Sequence, residues 1–116
     1  MARLLWEPSE ERKRNANITK FMEFVNERYG KGLRTHAELY AWSVDYIPEF
    51  YGSMWDFMGI KASKSYEKVV DDVNKFPGAK WFTGAKLNFA ENLLRYRDDR
   101  TAFIFRAETR ESFRMT

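Results

Sequence analysis

One histidine, three pairs of neighbouring carboxylates and six glycines are the residues of this 116-residue sequence whose types could do chemistry. His36 has no second histidine with which to share a metal ion, and as a general base it would need an oriented carboxylate and a nucleophile beside it. It falls in the first turn of a predicted helix, an ordinary place for a surface histidine. Glu10-Glu11, Asp71-Asp72 and Asp98-Asp99 are adjacent in the chain, so on a helix or turn their side chains diverge and build no acid/base dyad. Glycine-rich loops hold phosphates through exposed backbone N–H groups. Gly30, Gly32, Gly52, Gly59, Gly78 and Gly84 never fall into G-x-G-x-x-G or G-x-x-x-x-G-K-[ST] spacing, and read as turns and helix ends. Arg12-Lys13-Arg14 follows Glu10-Glu11 and reads as a charged helix face rather than a phosphate track. Arg95, Arg97 and Arg100 form a second basic cluster, on the surface or beside a neighbouring domain. The absence of cysteine excludes disulfides, thiolate chemistry and zinc-thiolate sites. No residue is therefore assigned a catalytic, cofactor-binding or metal-binding role.

Composition moves the emphasis from chemistry to packing. Hydrophobic residues make up 44% and charged residues 32%, the balance of a globular domain, and no apolar run approaches the roughly 20 residues of a membrane helix. The start, MARLLWEPSEER, has no signal-peptide apolar region, so a cytoplasmic location is expected and membrane association is not. Twenty basic residues are interspersed with 17 acidic ones, which gives nucleic-acid binding no support. Four Trp and ten Phe are many for one small domain. Each such ring buries roughly 150–250 Å², so some are expected to face a partner surface.

The elements that hold these rings follow from periodicity. A short helical turn is predicted over residues 9–14, started by Pro8 and Ser9. The strongest helix pattern begins at Asn17, read as its N-cap, with Ile18, Phe21, Met22, Val25 and Tyr29 on one face. Gly30 and Gly32 end it. Thr35 with Glu38 makes a capping box ahead of a helix over residues 36–46, with Leu39, Trp42 and Tyr46 inward, and Pro48 blocks its continuation. A third helix from about residue 49 to Gly59 places Phe50, Met54, Phe57 and Met58 on one side, with Trp55 beside them. Residues 60–75 read as loop with a short helix or strand around Tyr66, Val69, Val70 and Val73. Pro77, Gly78 and Gly84 bracket Trp81 and Phe82 on an extended segment pinned to a surface. Asn88 and Glu91 start a fourth helix with Phe89, Leu93 and Leu94 as its buried face. The period then changes to two, and residues 101–116 read as a β-hairpin turning near residues 108–110. The fold class is mainly α: a small domain of three to five helices, an extended Trp-Phe segment and a C-terminal hairpin that opens a sheet completed elsewhere.

Several of these segments together resemble the N-terminal region of the acetoacetyl-CoA synthetases, within the acyl-adenylate-forming ligases. The resemblance is carried by Leu5-Trp6-Glu7-Pro8-Ser9, by the run Thr19-Lys20-Phe21-Met22-Glu23-Phe24-Val25-Asn26-Glu27-Arg28-Tyr29-Gly30, by Trp42-Ser43-Val44, by Trp55-Asp56-Phe57 and by residues 77–94. It implies a parent enzyme that activates acetoacetate with Mg-ATP to an acyl-adenylate and transfers the acyl group to coenzyme A. The family's phosphate-holding loop, its aromatic-acidic nucleotide stretch and its C-terminal lysine have no counterpart among these residues. The resemblance therefore implies a non-catalytic piece: residues 1–95 as the helical N-terminal region and residues 96–116 as the first hairpin of the adenylate-forming domain. The expected partner is the rest of the ligase, with Trp81, Phe82, Leu87 and Phe89 as docking anchors or, equally, as core. Self-association through the hairpin is the second partner expectation. The competing reading is an autonomous helical module that binds protein or nucleic acid.

Overall fold

The structure, a computed structural model, describes residues 5–116. Its elements are α1 (Glu10–Asn15), α2 (Asn17–Tyr29), α3 (His36–Asp45), α4 (Ile47–Phe57), β1 (Lys68–Val70), β2 (Trp81–Thr83), α5 (Phe89–Leu93), β3 (Phe103–Phe105) and β4 (Phe113–Met115). The protein is mainly helical, with two antiparallel strand pairs, β1 with β2 and β3 with β4.

Local chemistry explains each helix boundary. Ser9 caps α1, its hydroxyl accepting from Arg12 N–H at 3.3 Å. Ala16, not Asn17, is the N-cap of α2 and makes no side-chain cap bond, while Asn17 is already helical. The chain has no room for a separate cap, because Ala16 also closes α1. Thr19 ties the two helices instead, its hydroxyl donating to the Lys13 carbonyl at 2.6 Å. Gly30 ends α2 in the left-handed region at φ 61°, as the sequence pattern requires. Asn26 then clasps the following loop with both amide atoms, each 2.8 Å from the backbone of Leu33. The Thr35–Glu38 capping box is present, and the Glu38 carboxylate also accepts from Arg34 N–H. Tyr46 serves as the C-cap of α3 and the N-cap of α4, so α4 begins at Ile47, two residues before the expected start. Pro48 lies in the first turn of α4, where its missing N–H has no helical partner to lose.

Phe21 and Val25 of α2 and Leu39 and Trp42 of α3 form the buried core, closed on one side by Phe50, Met54 and Phe57 of α4. Phe21 meets Phe57 edge-on at 5.2 Å and Phe50 at 5.9 Å. The predicted stripes hold at their centres and fray at their ends, where Ile18, Tyr46 and Met58 are exposed. Ser53 is wholly buried and satisfied: its hydroxyl donates to the Tyr29 hydroxyl at 3.2 Å, which donates to the Glu49 carbonyl.

The fourth helix departs from expectation. Asn88 caps α5 as predicted, but Phe89, Leu93 and Leu94 are 72%, 65% and 65% exposed rather than buried. Polar tethers hold α5 in place of an apolar face. The Asn92 amide exchanges two 2.8 Å bonds with the backbone of Lys61, and the Arg95 guanidinium donates to the Met58 carbonyl at 2.8 Å.

The hairpin is present with Phe103 opposite Met115, Ile104 opposite Arg114 and Phe105 opposite Phe113. Every residue of both strands is exposed. The radius of gyration is 19.6 Å, against about 13 Å for a compact domain of this length. The accessible surface is 10153 Å², where a closed monomer of this mass exposes about 6,700 Å². Roughly 3,500 Å² more surface is therefore open than a closed monomer of this mass would leave.

Candidate functional site: an open aromatic groove

A groove of about 620 Å³ runs between the outer face of α4 and the β2 segment. Phe50, Tyr51, Met54, Trp55 and Met58 make one wall, and Trp81, Phe82, Ala85 and Leu87 the other, with Ile60 at the end. The α4 wall arises because the helix is apolar on two faces. Phe50, Met54 and Phe57 face the core, while Tyr51, Trp55 and Met58, spaced four and three residues apart, look outward.

Close approach of a strand to a helix fixes the second wall. Gly52 and Ser53 are the buried residues of α4, and a Cβ at Gly52 would already touch Val69 Cγ2 at 3.4 Å and the Tyr66 hydroxyl at 3.6 Å. Val70 is buried on β1. β1 carries β2 by pairing Lys68 with Thr83 and Val70 with Trp81, which brings Trp81 edge-on to Tyr51 at 4.7 Å. Phe82 has φ 48°, a left-handed conformation that bulky side chains rarely adopt. The turn places its ring between Trp55 at 4.8 Å and Tyr66 at 5.3 Å. Burial raises the Tyr66 hydroxyl above the ordinary phenol range, so it stays protonated at neutral pH.

Asp71 clamps the open end of this strand pair. Its carboxylate accepts from the N–H groups of Lys80 and Asp72, both at 2.8 Å, and the Lys80 N–H bond above all holds it below the ordinary carboxylate range. A depressed carboxyl contributes stability that is complete above its unfolded value and lost as pH falls through the folded one. Acid titration followed by tryptophan fluorescence should therefore show the β2 segment loosening below the usual aspartate range. Asp71→Asn should remove that acid-dependent step; an unchanged titration would show that the clamp plays no part in it.

Of the four residues expected to act as anchors, Trp81, Phe82 and Leu87 line the groove and Phe89 stands apart on α5. Phe82 is half-buried, while Trp81 is 42% and Leu87 47% exposed, so none of the three belongs to the buried core. Tyr51, Trp55 and Met58 were not expected as groove residues, although their spacing on a second helical face was there to be read. The lining carries no carboxylate, histidine or cation, and so has no group for acid/base work near neutral pH. His36 is exposed at the start of α3 and does not line the groove. Among the described residues no group of three or more His, Asp or Glu side chains is placed to hold a metal ion. Among them, too, no helix is long and apolar enough to cross a membrane.

Comparison with known proteins gives this arrangement a family. The chain is 41% identical over 112 residues to an acetoacetyl-CoA synthetase of Danio rerio, a match covering 95% of this chain and 16% of that protein. It is also 41% identical over 92 residues to the malonamoyl-CoA synthetase vrtB of Penicillium aethiopicum, covering 78% and 12% of the two chains. The solved acetoacetyl-CoA synthetase of Streptomyces lividans superposes with a TM-score of 0.79 at 30% identity, over 99% of this chain and 18% of that one. The chain thus spans about a sixth of the length of the acetoacetyl-CoA synthetases it matches. The family profile described as "Acetyl-coenzyme A synthetase N-terminus" matches residues 36–93, from the first turn of α3 to the last of α5, and so takes in every residue that lines the groove. On that match the chain belongs to the acetyl-coenzyme A synthetase N-terminus family.

Proposed function

We propose that this chain is the N-terminal region of an ATP-dependent acetoacetate–CoA ligase, a cytoplasmic enzyme that converts acetoacetate, ATP and coenzyme A to acetoacetyl-CoA, AMP and pyrophosphate. Within it, residues 1–95 scaffold the larger domain and residues 96–116 open the adenylate-forming sheet. The observation that carries this reading is a likeness to proteins named acetoacetyl-CoA synthetase along nearly the whole chain. The open groove supports the scaffolding part: its rings are apolar, half-exposed and without chemistry of their own, which suits a docking surface. Trp81, Phe82 and Leu87 are its anchors, and Phe89 adds an apolar contact on the adjoining helix.

Mg-ATP does not fit the residues present. No phosphate-cradling glycine loop occurs in the sequence and no carboxylate cluster stands ready for a cation among the described residues, so no step of the reaction is assigned to this chain. A relative named for malonamoyl-CoA matches at the same identity over a shorter stretch, 78% of this chain against 95%, so the acetoacetate assignment follows the longer match.

Pyrophosphate exchange with acetoacetate and Mg-ATP tests the first half: the isolated chain should give no turnover above a blank. A chimera tests the second. This chain, put in place of the matching segment of the Streptomyces lividans enzyme, should yield a soluble protein that still forms acetoacetyl-CoA, and Trp81→Glu in that chimera should sharply reduce the soluble yield. Exchange activity that tracks the isolated chain through purification, or a chimera indifferent to Trp81→Glu, would overturn the reading.

A further inference from the structure

We propose that Asn92 and Arg95 form a rigid joint that fixes α5 to the last turn of α4, and so sets the direction in which residues 96–116 leave the helical core. The bonds that make it all run between residues 55–95 of this chain, and the inference stands whether or not the ligase reading holds. Along residues 86–116 the two side chains turned onto the rest of the fold are polar: Asn92 and Arg95 are half-buried, and every other residue of that stretch is exposed.

The end of α4 prepares one half of the joint. Gly59, at φ 59°, turns the chain so that its N–H donates to the Asp56 carbonyl at 3.0 Å and the Ile60 N–H donates to the Trp55 carbonyl at 3.1 Å. This closure satisfies two of the carbonyls that a helix end leaves free, and the Met58 carbonyl goes to a donor from outside the helix. Arg95 is that donor, with Nη1 at 2.8 Å, while its Nε donates to the carbonyl of Asn92 in the last turn of α5 at 3.1 Å. One guanidinium thus caps the C-terminal ends of two helices, where a cation is favoured. Its planar fork of donors holds the two ends at one angle, as a flexible ammonium would not.

Asn92 supplies the other half by imitating a neighbouring strand, which exchanges both backbone bonds with one residue. Its Oδ1 accepts from the Lys61 N–H and its Nδ2 donates to the Lys61 carbonyl, both at 2.8 Å, and Nδ2 also donates to the Asn88 carbonyl at 3.0 Å. Two donors and an acceptor are all in use, a set that neither a carboxylate nor a hydroxyl provides. The gripped turn, residues 58–61, also carries Met58 and Ile60, whose side chains line the groove. A body seated in the groove and the chain that follows α5 therefore bear on the same turn.

The absence of cysteine makes the test direct. Asp45→Cys at the end of α3 and Glu91→Cys on α5 are both exposed positions, and spin labels on the pair report the distance across the joint. The labelled chain should give one narrow distance distribution. Asn92→Asp, nearly the same size but without an amide donor, should broaden it, as should Arg95→Met, each raising the released fraction on the order of tenfold. Leu93→Ala, which trims an apolar side chain from the same helix, should leave it narrow. The denaturant midpoint of the helical core should stay in place in all three variants, which separates a joint from a general loss of stability. A distribution already broad without the variants, one that stays narrow in either Asn92→Asp or Arg95→Met, equal broadening by Leu93→Ala, or broadening only together with a fall in the midpoint would each overturn the inference.

Discussion

Phe21→Ala should lower the unfolding free energy by about 3–5 kcal/mol, whereas Lys20→Ala should change it by no more than about 0.5 kcal/mol. The two residues are neighbours on α2, so the contrast isolates the helical phase. Phe21 is 4% exposed and its ring is held edge-on by Phe50 and Phe57 of α4. Removing it loses the transfer energy of the ring and leaves a cavity that α3 and α4 cannot close, because Trp42 already packs edge-on against Phe50. Lys20 points to solvent and makes no ion pair among the described residues. A domain with so few buried residues has total stability near the low end of the usual 5–15 kcal/mol, so the alanine variant should keep only about 0–2 kcal/mol and be measurably unfolded at room temperature. Denaturant melts decide it, and coincident midpoints would mean that the buried face of α2 is misassigned.

The helical core was legible because its signals are local. The capping box at Thr35 and Glu38, the glycine stop at Gly30 and the stripe through Phe21 and Val25 each need only a few consecutive residues, and each stands as read. What escaped depended on partners distant in sequence. Asn92 reads as one more helix residue until its bonds to Lys61, 31 positions away, are seen, and those bonds leave the apolar face of α5 uncovered. The same holds for the groove. Trp81 and Phe82 announce an exceptional segment through the proline and glycines around them, but the opposite wall depends on β1 packing against α4 at Gly52, a contact between residues far apart in sequence. No periodicity reports how close two elements come. Asn17 failed as a cap for a related reason: Ala16 already serves both helices, and a cap preference has no force where the chain leaves it no position to occupy.

Phe82 offers the sharpest test of the groove, because two effects there oppose each other. Its ring lies between Trp55 and Tyr66 and is half-buried, so Phe82→Ala should cost about 2–3 kcal/mol, less than the 3–5 kcal/mol of a fully buried ring. Alanine must still adopt φ 48°, a conformation that costs an L-residue roughly 1–2 kcal/mol. Glycine removes the same ring and bears almost none of that cost. Phe82→Gly should therefore be more stable than Phe82→Ala by about 1 kcal/mol, the reverse of the order at an ordinary strand position, where glycine is the weaker residue. Both variants should release the β2 segment from α4 and change the emission of Trp55 and Trp81 at denaturant concentrations below the global transition, since Phe21, Val25, Leu39 and Trp42 do not rest on Phe82. If alanine proves the more stable of the two, the left-handed turn is not what aims the ring, and the groove wall depends on the β1–β2 pairing alone. If the order holds, the strain at Phe82 is offset by the ring's seat between Trp55 and Tyr66. The backbone there is then fixed by the cavity it lines rather than by its own propensity, as local strain at functional sites commonly is.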